Sequence, residues 1–357
     1  MSARLEALRA ALRRRHPAAG ALAVAGMDNV RYLSGFRGDA GLLWVAPDDA
    51  ALLTDSRFWT QAREEAPDWR LVRVRERPTV EFLGDLCRAS GVGALAFDPG
   101  EVTYAGYREW RRRLTGVRLV PAPGLVAALR LRKEPAEIAA IRRAAAVADR
   151  AFAQWRAQVR PGAVEAELAL DLEHRMRRAG AEAMAFPPIV AGGPRGAMAH
   201  AVPGPAALRA GEMVVVDLGC RVDGYCSDMT RTLVVPGAEP DPEARRVYDV
   251  VRSALQAGID ALRPGRRGLD VDAEARRVIA AAGYGDAFGH GLGHGVGLAV
   301  HEGPRLSPLA DPRQTIPEDA IVTVEPGVYL EGRFGVRLEQ LVRVRAGGPE
   351  VLSTSPL

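Results

Sequence analysis

Along the first 120 positions, apolar residues switch repeatedly between helical and strand spacing. Leu5, Leu8 and Leu12 recur at intervals of three and four, which predicts an amphipathic helix that stops near Pro17. Short apolar runs at 21–25, 41–46 and 50–54 predict strands. Beyond them the pattern predicts a helix over 58–66, a strand over 70–75, a helix over 79–90, a strand over 94–98, a helix over 104–114 and a strand over 118–120. This alternation predicts an α/β domain with a mixed sheet, residues 1–125. The segment 121–135 carries prolines at both ends and is the predicted junction.

The character changes in the second predicted domain, residues 126–357. A long Ala-rich helix is predicted over 136–159, ending at Arg160-Pro161-Gly162, and another over 165–179, ending at Gly180. Strands follow at 189–191, 213–219 and 225–235. Helices are predicted again over 242–261 and 270–282, then a Gly-rich stretch, then strands at 321–325 and 336–345. Arg263-Pro264-Gly265 repeats the helix–Pro-Gly–helix device of residues 160–162, which suggests two related halves.

Composition narrows the chemistry. The chain has 357 residues, 48% hydrophobic and 26% charged, which are ordinary globular proportions. No apolar run approaches the 18–20 residues of a membrane span. Lys133 is the only lysine among 48 basic residues, and Arg132 precedes it, so no P-loop is present. An excess of arginine with a net charge of only +4 reads as compositional bias rather than a nucleic-acid surface. Cys87, Cys220 and Cys226 are too few and too scattered for a disulfide framework. The N-terminal helix lacks the apolar core of a secretory signal, and the predicted compartment is the reducing cytoplasm.

The candidate chemistry gathers in the last 140 positions. Asp217 ends an apolar run in MVVVDLG and Asp228 sits in GYCSDMT, with a turn-like 221–224 between them. They are placed to face each other across a hairpin, although turn and cap aspartates would share this spacing. In FGHGLGHGVGLAVHE (288–302), alternating glycines surround His290, His294 and His301. The segment fails the G-x-G-x-x-G fingerprint, and Pro304 breaks any H-E-x-x-H helix after His301. Glu325 and Glu339 close or follow apolar strands in IVTVEPG and GVRLEQ. Four carboxylates and one imidazole in one site would repel unless cations intervened. Two divalent ions answer that, and oxygen-rich ligation with a single His favours Mn²⁺, Co²⁺ or Fe²⁺ over zinc. A two-metal centre polarises a carbonyl and activates a water, which is hydrolytic chemistry.

These motifs, in this order, resemble the pita-bread metallopeptidases, and within them the Xaa-Pro branch of prolidases and aminopeptidase P. The resemblance rests on FPPIVAGG (186–193), residues 213–235, HGLGHGVGLAVHE (290–302), VTVEPGVYL (322–330) and GVRLEQ (335–340). NVRYLSGFRGDAG (29–41) and LLTDSRFWTQAREEAP (52–67) resemble the same branch's leading domain. Gln340 stands where relatives often carry an acid.

The resemblance implies an α/β N-terminal domain with a mixed sheet followed by an α+β pita-bread catalytic domain. It implies Asp217, Asp228, His294, Glu325 and Glu339 as ligands of two metal ions, Mn²⁺ first, with Asp228 and Glu339 bridging. Glu325, His301 and His200 are the implied catalytic residues. His290, Arg305 and Arg337 are the implied substrate-side residues, with a second reading for Arg337 as the ion-pair partner of a ligand. The implied activity is hydrolysis of Xaa-Pro dipeptides, the alternative being aminopeptidase action on longer peptides. A creatinase-like hydrolase or a metal-free binding module would lack several of the five ligands, and a methionine aminopeptidase would leave the leading domain unexplained. A homodimer is also implied, with Arg37 or Asp39 as candidates to reach the partner's site. No nucleic-acid or membrane partner is expected.

Overall fold

The computed structural model describes residues 3–357, which divide into two compact units meeting between Arg130 and Leu131. The first unit runs α1 (Ala3–Arg15), β1 (Ala21–Val24), α2 (Met27–Ser34), β2 (Leu42–Val45), β3 (Ala50–Thr54), α3 (Trp59–Glu65), β4 (Arg70–Arg73), α4 (Thr79–Ala89), β5 (Ala94–Phe97), α5 (Tyr104–Arg113), β6 (Arg118–Pro121) and α6 (Leu125–Arg130). Its six strands form one sheet in the order β4-β3-β2-β1-β5-β6. β1, β2 and β3 pair antiparallel, whereas β4, β5 and β6 join in parallel, so the sheet is mixed as predicted. Helices cover both faces, and β1, β2 and β5 are therefore buried at every position. The edge strands β4 and β6 begin on exposed arginines, which discourage further pairing. Leu5, Leu8 and Leu12 of α1 are all buried.

The second unit begins with α7 (Pro135–Trp155) and α8 (Glu165–Arg178). Strands β7 (Ala183–Met184), β8 (Ile189–Gly192), β9 (Met213–Leu218), β10 (Cys220–Val222), β11 (Tyr225–Cys226) and β12 (Met229–Val234) follow. Then come α9 (Pro242–Ala261), α10 (Gly268–Ala281), β13 (Gly293–Gly295), β14 (Glu302–Leu306), β15 (Ile321–Val324), β16 (Gly327–Leu330), β17 (Phe334–Arg337), β18 (Gln340–Arg343) and β19 (Glu350–Val351). Pro135 at the first position of α7 and the reciprocal Glu134–Glu137 capping box start that helix.

The two halves suggested by the sequence extend to the strands. α7 and α8 precede the antiparallel set β8-β9-β12, and α9 and α10 precede β13-β15-β18. Phe152, Trp155, Leu168 and Leu172 share a core with Val190, Val214 and Val216 of the first half. Val247, Val251, Leu255 and Ile279 share another with Val322, Val324 and Val342 of the second. The predicted strands 225–235 and 336–345 are each split in two. The residue just before the resuming strand is a carboxylate in both cases: Asp228 before β12 and Glu339 before β18. The middle strands correspond as well, with Asp217 near the end of β9 and Glu325 just after β15. The four acids are thus two equivalent pairs, one from each half.

Candidate metal centre

Pairing of β9 with β12 places Asp217 opposite Thr230, two residues from Asp228. The intervening β10–β11 hairpin turns at Asp223-Gly224, both at positive φ (50° and 80°), the backbone of a two-residue primed turn. In the other half, β13 runs between β14 and β15. A Cβ at Gly293 would lie 2.2 Å from the Thr323 carbonyl oxygen, and one at Gly295 would lie 1.9 Å from that of Gly303. Only glycines on both sides of His294 let three backbones approach this closely.

Carboxylate oxygens of Asp217, Asp228 and Glu339 lie within 4.8 Å of one another. His294 Nε2 is 3.2 Å from Glu325 Oε1 and 3.7 Å from Asp228 Oδ2, so all five predicted ligands converge. His294 Nδ1 faces the Gly295 carbonyl at 3.1 Å, an arrangement that turns Nε2 toward the carboxylates. The His294 backbone N–H donates to Thr323 Oγ1, and that hydroxyl donates to Glu325 Oε1, both at 3.0 Å.

Arg337, only 3% exposed, clasps the cluster from behind. Its Nη2 donates to Asp217 Oδ2 at 2.6 Å, Nε to Thr230 Oγ1 at 3.1 Å, and Nη1 to the Ala199 carbonyl and Tyr329 Oη at 3.0 Å each. Thr230 Oγ1 donates in turn to Glu339 Oε2 at 2.8 Å.

Burial pushes the Asp228 carboxyl well above the usual range, and the charges of Glu339, Asp217 and Glu325 push it further. Glu339 is raised likewise by burial and by Glu325 and Asp217. Asp217 is also raised by burial, with the Arg337 charge opposing. At Glu325 burial acts upward, but the His294 hydrogen bond and charge outweigh it and its carboxyl falls below the ordinary value. Asp217 Oδ1 and Glu339 Oε1 are buried and accept no hydrogen bond among the described residues. Such orphans are costly, and here they lie in the cluster that most needs positive charge. The donor set fits divalent cations.

A cavity of about 920 Å³ opens over the cluster. His200, His290, His301, Arg305 and Arg337 all line it, together with Phe186, Pro187 and Pro188. His301 stands edge-on to His294, ring centroids 4.3 Å apart, and burial and the His294 charge lower its pKa. His290 has both ring nitrogens engaged, Nδ1 with the Gly291 carbonyl at 2.8 Å and Nε2 with Tyr329 Oη at 2.9 Å. Arg305 is exposed on β14. Beneath that strand, the Lys133 ammonium pairs with Glu302 Oε1 at 2.9 Å, both side chains largely shielded from solvent. In the first unit, Arg37 Nε donates to Glu65 at 2.9 Å, and Asp39 is exposed. Tyr329, Thr230 and Thr323 were not singled out by sequence. Tyr329 lies in VTVEPGVYL four residues after Glu325, and that motif was its only signal.

Residues 139–346 match Metallopeptidase family M24, and residues 4–132 match the Creatinase/Prolidase N-terminal domain. The chain belongs to metallopeptidase family M24, with a mixed-sheet α/β N-terminal domain and a pita-bread catalytic domain. It is similar to an uncharacterized peptidase, YqhT, of Bacillus subtilis, 36% identical over 328 residues and 92% of each chain. Among solved structures it resembles an Xaa-Pro dipeptidase from Bacillus anthracis, at 34% identity and a TM-score of 0.94, covering 99% of this chain and 97% of the other. It also resembles an X-Pro aminopeptidase from Thermotoga maritima, at 33% identity and a TM-score of 0.86, over 95% and 96%. Among the described residues, no helix is long and apolar enough to cross a membrane.

Proposed function

We propose that this peptidase is a dinuclear-metal Xaa-Pro dipeptidase. The observation that carries the metal reading is the convergence of four carboxylates and one imidazole, with two buried carboxylate oxygens that accept no hydrogen bond among the described residues. Asp217, Asp228, His294, Glu325 and Glu339 would hold two divalent ions, Mn²⁺ first. When bound there, such ions supply Lewis acidity and an activated water. Glu325, with Oε1 at 3.2 Å from His294 Nε2, would take the water's proton and pass it on. His301 and His200, on the cavity wall, would donate N–H groups to the charge developing on the scissile carbonyl oxygen. Arg337 has its donors committed to neighbouring groups, and it acts by holding Asp217 and the Ala199 carbonyl in place.

Preference for dipeptides rests on Arg305. Its exposed side chain lines the cavity from β14 and has no ion-pair or hydrogen-bond partner among the described residues. A guanidinium there suits the carboxylate that a dipeptide carries one residue past the cleaved bond. The similarity to an X-Pro aminopeptidase supports a second reading, action on longer peptides. We also infer a reducing cytoplasmic setting, in keeping with three buried free thiols, and a homodimer.

Chelation should abolish hydrolysis of an Xaa-Pro dipeptide, and Mn²⁺ or Co²⁺ should restore it better than Mg²⁺. Full activity after exhaustive metal removal would overturn the metal reading. Comparing Xaa-Pro with Xaa-Pro-Xaa rates in the Mn²⁺-loaded protein separates the two peptidase readings.

A further inference from the structure

One wall of the cavity is the segment 193–204, which has no strand in it and carries Ala199, His200, Ala201, Val202 and Pro203 to the lining. A segment of this kind would ordinarily be mobile, and its two large apolar side chains, Met198 and Val202, are exposed. Its two feet nevertheless converge on a single carboxylate that plays no part in the metal cluster. Glu165, at the start of α8 and 1% exposed, accepts from the Gly192 N–H at 2.9 Å and from Arg195 Nε at 2.8 Å on the incoming foot. It accepts from the Gly204 N–H at 3.3 Å on the outgoing foot. Arg195 closes the ring by donating through Nη2 to the Val202 carbonyl. Backbone bonds from Glu165 N to Ala206 O and from Ala166 N to Gly204 O stitch the outgoing foot to the helix start. The far end of the segment is tied to the metal cluster by the bond from Arg337 Nη1 to the Ala199 carbonyl.

We infer that Glu165 is a positioning residue for the reaction, the lock that fixes the segment carrying His200 against the cavity. The chemistry of the side chain is specific. The three side-chain hydrogen bonds of Glu165 are all accepted from N–H groups and use both of its oxygens, so the site calls for an acceptor with two oxygens. Glutamine would turn an NH₂ group against one of those donors, and aspartate is one methylene too short to reach both feet. The inference rests on the proposed role of His200, so the test separates the two.

The experiment compares Glu165→Gln, His200→Ala and the double variant in the Mn²⁺-loaded protein, with an Xaa-Pro dipeptide as substrate. Leu172→Ala serves as control: Leu172 is a buried core residue of the same helix, two turns on from Glu165, and makes none of the ring's hydrogen bonds. Glu165→Gln should lower kcat/KM about tenfold with metal content unchanged, and should speed backbone hydrogen exchange across 193–204 more than elsewhere. In the His200→Ala background the same substitution should cost less than about threefold, because residues acting as one unit are not additive. Additive losses, or an equal loss and equal exchange in Leu172→Ala, would overturn the inference. If His200→Ala leaves kcat/KM unchanged, the role of His200 fails instead. Faster exchange confined to 193–204 in Glu165→Gln would then uphold the lock, and unchanged exchange would sink it.

Discussion

Arg337 makes four hydrogen bonds at once, to Asp217, Thr230, Tyr329 and the Ala199 carbonyl. A lysine has one nitrogen and cannot span partners arranged around a planar fork. Arg337→Met and Arg337→Lys should therefore both weaken Mn²⁺ binding by roughly 10–100-fold, the usual cost of losing a group that orients a ligand. Titration of the metal-free protein measures this, and an unchanged affinity in both variants would show that Asp217 needs no holder. Arg305 makes the opposite prediction. It is exposed, so Arg305→Ala should leave metal affinity and folding alone. It should raise KM for Xaa-Pro by about one to two orders of magnitude, the equivalent of a charge-assisted pair at about 1.4 kcal/mol per decade. Tripeptide turnover should change little. Equal losses for dipeptide and tripeptide would favour the aminopeptidase reading. The five convergent side chains were legible as residue types in the sequence, because buried strand-end carboxylates demand partners. Tyr329 and Thr230 were not, because an uncharged hydroxyl in a strand leaves no such demand visible.

The elements show where pattern reading stops. Residues 225–235 and 336–345 each read as one continuous strand, yet each stretch breaks beside a carboxylate, and a strand-like run of residues says nothing about interrupted pairing. α2 was missed because Gly26 at its start offers no side-chain cap and the helix is only eight residues long. Its end was signalled, since Gly35 adopts the left-handed conformation at φ 81°. The Gly-rich stretch, to which the pattern assigned no element, contains β13, a three-residue strand whose glycines serve close packing. Gly295→Ala therefore places a methyl against the Gly303 carbonyl and should destabilise the protein by about 1–3 kcal/mol or more. Chemical denaturation reads the loss directly. His294 should also shift, so metal affinity should fall in the same variant, whereas Gly347→Ala, where a Cβ meets nothing, should do neither.

For the whole molecule, the alternating pattern of the first 120 residues and the duplicated helix–Pro-Gly–helix device were both legible. The equivalence of the two carboxylate pairs was not, because it depends on strand order. Global stability carries a testable alkaline limb. Burial pushes the Cys220 thiol from 9.0 up to about 11, and Cys87 behaves alike. A thiol that keeps its proton longer in the folded chain favours folding fully below pH 9, and that advantage is lost as pH rises through about 11. Urea midpoints should fall from pH 9 to 11, and Cys220→Ala should flatten the fall; an equal slope in that variant would contradict it. The pairing of Lys133 with Glu302 has a practical side. The chain's only lysine has its side chain just 1% exposed, so amine-directed reagents meet no accessible side-chain amine on the folded protein. An activated ester at neutral pH should leave Lys133 unmodified while the fold is intact and label it once the fold opens, so this one side chain is a built-in reporter of unfolding that needs no added probe.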